Sequence, residues 1–251
     1  MAMQRREILG VPVDVCKPEE LETDLLDILL RPGTKQILFL SVWDLIRARK
    51  SGSDLNQCLK SADMIIPVSK SIIKAARKLK LPVPVRYNPF HAVINILEIL
   101  EQHYKSLFIL GERQKTLNQA ERNLHDTFPN LQIVGRYTGY YPKHMEANVV
   151  QAIYKCSPSL VLLSDGIKEK NLWAYNRRNS FNSSIFLYYK DCLGIFAERR
   201  KRVSDKTFDR GHEMYLEVIK HPIKIFLIFP YLGFKIRVFW NRIFGKKNRQ
   251  S

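Results

Sequence analysis

Strand-length apolar runs alternate with helical patterns through most of this chain, and that alternation limits its fold more than any other feature. Runs at 37–40, 64–67, 107–110, 132–134, 160–163 and 185–189 each have the length of a buried strand. Between them, apolar spacing and capping residues predict helices over 19–30, 43–50, 54–60, 69–79, 90–104, 114–128, 144–155 and 170–177. Pro18 stands at the first turn of the first helix, Gly33 follows its end, and Ser53 is placed to cap the third. Residues 81–88 hold Pro82 and Pro84 and read as extended loop. Apolar strands separated by helices predict an α/β fold with a mainly parallel sheet covered on both faces. The alternation stops near Ala197, which predicts a body over 1–197 and an appendage over 198–251.

The appendage has its own signature. After Glu217 the sequence contains no acidic residue, yet eight lysines and arginines follow, interleaved with seven aromatic residues. The longest uncharged run there, 225–234, is interrupted by Pro230 and Gly233 and is too short to span a bilayer, which takes about 20 apolar residues. Leu232, Ile236, Phe239, Trp240, Ile243 and Phe244 recur at helical spacing on one face, while Phe234 and Val238 fall off that stripe. Two readings stand: a basic amphipathic helix lying on an anionic membrane surface, or a helix docked on the protein's own core.

A net charge of +17 points to anionic partners in general. Lys70, Lys74, Arg77, Lys78 and Lys80 form one basic run and residues 199–202 another. Hydrophobic residues at 45% and charged ones at 26% describe a folded chain. No nucleic-acid motif is present, and the aromatic tail is more apolar than a nucleic-acid groove needs, so no nucleic acid is expected as a partner. Cys16, Cys58, Cys156 and Cys192 are scattered with no CxxC pair, and Arg5 and Arg6 precede no apolar leader. These features predict a protein in the reducing cytoplasm, peripheral on the inner face of the membrane, with no metal and no cofactor. Oligomeric state is open, and a homo-oligomer is compatible with the exposed tail.

Open parallel sheets bind ligands at the carboxyl ends of their strands. That places candidate functional residues at 41–44, 68–69, 111–113, 164–170 and 190–191.

Within 107–141 the motifs become specific. Leu110-Gly111 ends a strand, residues 128–135 read Phe-Pro-Asn-Leu-Gln-Ile-Val-Gly, and Gly139-Tyr140 follows. Flanking matches occur at Ala62-Asp63 with Pro67, at Gly166, Trp173 and Arg177, over 197–203, and at 211–215 with Glu213. In order and spacing these segments resemble the WecG/TagA/CpsF family, glycosyltransferase family 26, over nearly the whole chain. The resemblance implies a Rossmann-like body with a membrane-contacting appendage. It also implies a metal-independent transfer of an N-acetylhexosamine-type sugar, such as N-acetylmannosamine or its uronic acid. The donor would be a UDP-sugar and the acceptor a polyprenyl-diphosphate-linked glycolipid, in cell-surface polysaccharide synthesis.

The departures from the family pattern fall where chemistry is expected. The family's proposed base, the Asp of a Pro-Asp-Gly motif, aligns with Val68, followed here by Ser69. Its Thr-x-Asn-Ala aligns with Leu40-Ser41-Val42-Trp43, its Gln-Glu pair with Lys170-Asn171, and its Phe-Asp-Phe with Leu193-Gly194-Ile195. The Arg-x-x-Gly-x-Asp motif keeps Arg86 but puts His91 in place of the Asp. His91 and Asp165 are the candidate catalytic residues, because imidazole and carboxylate side chains can take a proton from a hydroxyl, with Asp191 a further carboxylate. Each can also be an ordinary cap or loop residue.

Candidate substrate-binding residues are Ser69, Arg86, Gly111, Lys170, Asp191, Arg199 and Arg202. Arg86 competes with a plain surface arginine, and Arg199 and Arg202 with a solvated or membrane-facing charge cluster. Trp173 reads as packing between helix and sheet. With the family's base absent, a catalytically inactive relative that binds or scaffolds at the membrane is the alternative function.

Overall fold

The structure, a computed structural model, describes residues 3–211 and 228–244. A hairpin of β1 (Gln4–Ile8) and β2 (Val11–Val15) precedes a sheet of six strands. These are β3 (Lys35–Leu40), β4 (Met64–Pro67), β5 (Ser106–Leu110), β6 (Gln132–Tyr137), β7 (Leu160–Leu163) and β8 (Ile185–Tyr188). They lie in the order β4-β3-β8-β7-β5-β6, with every neighbouring pair parallel.

The helices are α1 (Leu21–Leu30), α2 (Val42–Ala48), α3 (Asp54–Ser61), α4 (Lys70–Lys78), α5 (Pro89–Gln102) and α6 (Gln114–Thr127). They continue as α7 (Glu146–Cys156), α8 (Asn171–Asn176), α9 (Cys192–Phe196), α10 (Asp205–Arg210) and α11 (Ile228–Phe244).

Strand residues alternate between two cores, as the period of a β-strand requires. Ile37, Phe39, Ile109, Leu162 and Leu187 face a layer built from α1, α5, α6 and α9. Leu38, Leu40 and Ile65 face α2, α3 and α4 on the opposite side. Val161, Leu163 and Phe186 continue that side against α7 and α8. The α/β class expected from the apolar runs is what the chain adopts.

The hairpin was not foreseen. Four of the five residues of β1 are exposed, so the strand lacks the apolar alternation that would announce it. Its role is to close the sheet edge at β4. Arg5 donates to both Asp14 carboxylate oxygens at 2.8 and 2.9 Å, and Asp14 accepts the backbone N–H of Ile65 at 2.7 Å. An edge that could pair with another chain is thereby occupied. The single-turn helix α9 was also missed, because five residues carry no readable periodicity.

Helix α11 docks on the body, as the second reading of the tail expects, but through residues outside the stripe. Phe234 and Val238, the off-stripe residues, are each 3% exposed and pack with Tyr231 against α2 and α4. Leu232, Ile236, Phe239, Trp240, Ile243 and Phe244, the stripe itself, all remain exposed on the docked helix. A narrow apolar face thus holds the helix to the body while a broad one points away. Among the described residues no helix is long and apolar enough to cross a membrane. The motif around Glu213 lies outside the described residues.

Candidate active site

The chain leaves β5 through α6 on one sheet face to reach β6, and leaves β7 through α8 on the other face to reach β8. The carboxyl ends of β5 and β7 therefore form the point at which the connections diverge, the usual position of a ligand crevice. Glycine lets the loops meet there. A Cβ on Gly111 would lie 2.7 Å from the Ser164 Cβ, and one on Gly139 would lie 2.5 Å from the Asp165 carbonyl oxygen. The Glu112 N–H donates to that carbonyl at 2.6 Å, and the Gly139 N–H donates to the Glu112 carbonyl at 3.0 Å. Ser164 Oγ donates to the Lys190 carbonyl at 2.7 Å and accepts the Leu193 N–H at 3.3 Å, which ties in the loop after β8.

Arg200 spans this junction. Its guanidinium pairs with Asp165 after β7, with Asp191 after β8 and, at 3.5 Å, with Glu112 after β5. Tyr140 donates its hydroxyl to Asp165 at 2.9 Å. Burial works against the Arg200 charge, but the bonds to Asp165 and Asp191 outweigh it and push its pKa further up.

The carboxylates respond in opposite directions. Burial pushes the Glu112 carboxyl up despite the attraction of Arg200, with Asp165 and Asp191 adding to the rise. Burial raises Asp165 too, but hydrogen bonds from Arg200 and Tyr140 prevail and hold it below the usual range. Glu112 is only 6% exposed, and its Oε1 accepts no hydrogen bond. Among the described residues, no group of three or more His, Cys, Asp or Glu is arranged to hold a metal ion. These three carboxylates gather around a guanidinium instead.

Beside the junction lies a cavity of about 240 Å³ between the loops after β6 and β7. Gly139 and Gly166 form its inner wall, Tyr141 and Trp173 supply aromatic surface, and Lys143 and Lys168 line it with positive charge. Its two acids are neutralised internally, since Arg177 pairs with both Glu146 and Glu169 and lies 4.9 Å over the Trp173 ring. Among the described residues, neither Lys143 nor Lys168 is ion-paired with a carboxylate. Trp173 is 2% exposed and packs on Phe181 and Phe186, as read from sequence, and its Nε1 donates to the Tyr141 hydroxyl at 2.7 Å.

Of the residues singled out from sequence, Gly111, Asp165 and Asp191 come together at the junction. Lys170 caps α8 with a positive φ of 52°, just beyond the cavity-lining Lys168 and Glu169. Ser69 is nearly buried, and its Oγ accepts the Val42 N–H at 3.0 Å, joining the loops after β3 and β4. Arg86 donates to the carbonyls of Val68 at 2.9 Å and Phe208 at 2.6 Å and stacks 3.6 Å over the Phe208 ring. His91 sits in the first turn of α5 with Nδ1 3.6 Å from Asp205. The side chain of Val68 packs against the core. Arg199 and Arg202 are exposed.

Glu112, Tyr140 and Arg200 were not singled out. Glu112 did fall within the post-strand segment 111–113, and its φ of 57° lies in the left-handed region, as does the φ of 56° at Glu198. Lys168 fell within the post-strand segment 164–170, whereas Lys143 gave no local signal, because the cavity they share is assembled from two separate loops.

Comparison with known proteins agrees with this architecture. The model of the Glycosyl transferase WecG/TagA/CpsF family matches residues 6–248. Similar curated proteins include the N-acetylglucosaminyldiphosphoundecaprenol N-acetyl-beta-D-mannosaminyltransferases of Staphylococcus aureus strains NCTC 8325 / PS 47, COL and MRSA252. Each is 20% identical over 197 residues, covering 78% of this chain and 77% of the relative.

Proposed function

We propose that this chain, which belongs to the Glycosyl transferase WecG/TagA/CpsF family, transfers an N-acetylhexosamine-type sugar from a UDP donor to a polyprenyl-diphosphate-linked acceptor. The observation that carries this reading is the lysine-lined cavity beside the carboxylate–arginine junction, at the strand ends where α/β sheets take their ligands. Tyr141, held from behind by the buried Trp173, offers surface for a ring, and Lys143 and Lys168 offer charge for a diphosphate. In the reaction the acceptor hydroxyl attacks the anomeric carbon and the bond from that carbon to the UDP oxygen breaks. The cations then hold the negative charge collecting on the leaving diphosphate, and a base takes the hydroxyl proton.

Val68 cannot be that base. The environments of Asp165 and Glu112 separate two roles. Asp165 stays ionised and anchors Arg200, and Glu112 exchanges a proton at a pH above the ordinary carboxylate range. His91, paired with Asp205, is the second candidate for the proton. The protein works from the cytoplasm as a peripheral occupant of the membrane's inner face, with the exposed stripe of α11 in the lipid.

The engagement of Arg86 by backbone carbonyls and the valine at 68 favour a second reading, a catalytically inactive relative that binds the same ligands. Titration of UDP tests the part the two readings share. Lys168→Glu should weaken UDP binding by about tenfold or more, because a charge-assisted bond is worth at least about 1.5 kcal/mol. No measurable UDP affinity in the unaltered protein would remove both readings.

A further inference from the structure

The seam between α4 and α11 contains an arrangement that docking alone does not explain. Helix α4 carries Lys70, Lys74, Arg77 and Lys78 and no acidic residue. Lys74 and Lys78 are one turn apart on the same side, a spacing at which like charges repel. Lys235 of α11 faces them across a crevice of about 50 Å³. Among the described residues, no carboxylate is ion-paired with any of the three. The floor is apolar, made by Ala75, Phe234 and Val238 at 2%, 3% and 3% exposure. The Tyr231 hydroxyl meets Ser71 Oγ at 2.9 Å at the same seam, and Lys235 Nζ lies 4.6 Å over the Tyr231 ring. All three lysines are exposed at the rim of this apolar floor, and the mutual repulsion of like charges gathered there would be relieved by an anion among them.

We propose that this crevice seats the phosphate of an anionic phospholipid. The inference rests on the membrane-facing reading of α11 given above. The crevice is small, about 50 Å³, which suits a single tetrahedral anion lodged among the three ammonium groups better than a nucleotide or sugar ring. Position decides for a lipid over a free anion. In helical projection Lys235 and Arg242 lie between the docked residues Tyr231, Phe234 and Val238 and the exposed stripe that contains Leu232 and Phe239. With the stripe in hydrocarbon, these cations and the crevice lie at headgroup depth, the level at which basic side chains meet phosphate. A phosphate bound there touches both helices and fastens α11 to the body as well as to the bilayer.

The test uses the full chain and phosphatidylcholine vesicles with or without phosphatidylglycerol, at physiological salt. Lys74→Gln/Lys78→Gln removes two charges from the crevice, and Arg77→Gln/Lys80→Gln removes two charges from the same stretch outside it. The seam variant should bind phosphatidylglycerol vesicles about tenfold more weakly than the matched control, by loss of charge-assisted contacts, and bind pure phosphatidylcholine vesicles as well as the unaltered chain does. Equal losses in the two variants would mean a diffuse surface field and overturn the seat. Inorganic phosphate is the second probe. Tight phosphate binding that the seam variant loses, with vesicle binding intact, would make this a free-anion site and also overturn the proposal. The membrane reading itself is judged separately by Phe239→Glu/Trp240→Glu, which leaves the crevice in place.

Discussion

Arg200→Ala should lower stability by about 2 kcal/mol near neutral pH and shift the melting temperature by roughly 5 °C, while Glu112→Gln should stabilise the fold at pH above the ordinary carboxylate range. Removing one partner of a buried charge cluster costs about 3–5 kcal/mol, reduced here because the Arg200 side chain is 30% exposed and water screens what remains. The alanine variant leaves Asp165, Asp191 and Glu112 facing one another at the junction. Its deficit should shrink as pH falls and the carboxylates protonate.

The signs for single groups follow from linkage. The folded pKa of Asp165 lies below its unfolded value, so its contribution is present above the unfolded pKa and lost as pH falls through the folded one. Glu112 is the reverse case. The native state holds a proton that the unfolded chain releases, so stability declines as pH rises from the ordinary carboxylate range through the raised pKa. A glutamine at 112 removes that decline. Denaturant midpoints measured across pH check both variants. A Glu112→Gln curve parallel to that of the unaltered protein would show that Glu112 titrates normally. If Glu112 exchanges the proton in transfer, the same variant should also flatten the pH–rate profile.

Phe239→Glu/Trp240→Glu should reduce binding to anionic vesicles by a hundredfold or more, with stability changed by less than about 0.5 kcal/mol. Both side chains are more than half exposed, at 57% and 56%, so the fold loses little when they change. Burying each ring in a bilayer contributes about 1.5–3 kcal/mol, and two such losses multiply to that factor. Deleting 223–251 should release the protein from vesicles too, but it also uncovers the surfaces of α2 and α4 that Phe234 and Val238 close. The double substitution isolates the outer face. Vesicle sedimentation with a parallel melting curve measures both quantities, and unchanged binding would rule out the stripe as a membrane contact.

Much of the body could be read from the residues because β3, β4, β5, β7 and β8 are buried on both faces and announce themselves as apolar runs, which the edge strand β6 does only in part. β4 and β7 have the bounds their apolar runs indicated, and α6 differs by one residue at its end. The hairpin escaped because the exposed β1 buries little more than Ile8. The tail was half legible. A single projection finds the broader stripe and treats Phe234 and Val238 as noise, although these are the residues that dock the helix on the body.

The junction is harder to foresee in principle. Arg200 meets residues 112, 165 and 191, brought together by the crossing of three strand ends and by no local pattern. Fold logic identified the strand ends, with Asp165 and Asp191 among them, and the resemblance identified Gly111 and Gly139, but neither marked Glu112 and Arg200 as the charges that complete the cluster. Arg86 illustrates the converse. A guanidinium suited to phosphate is taken up by the carbonyls of Val68 and Phe208, through contact with a segment more than a hundred positions away.

The most direct measurement is turnover of a UDP-N-acetylhexosamine by the full chain in vesicles that contain a polyprenyl-diphosphate-linked N-acetylglucosamine acceptor. The account predicts release of UDP matched by a glycolipid one sugar longer, with both signals greatly reduced in Phe239→Glu/Trp240→Glu. UDP binding without sugar transfer to any acceptor of this class would contradict it and leave the inactive relative as the function.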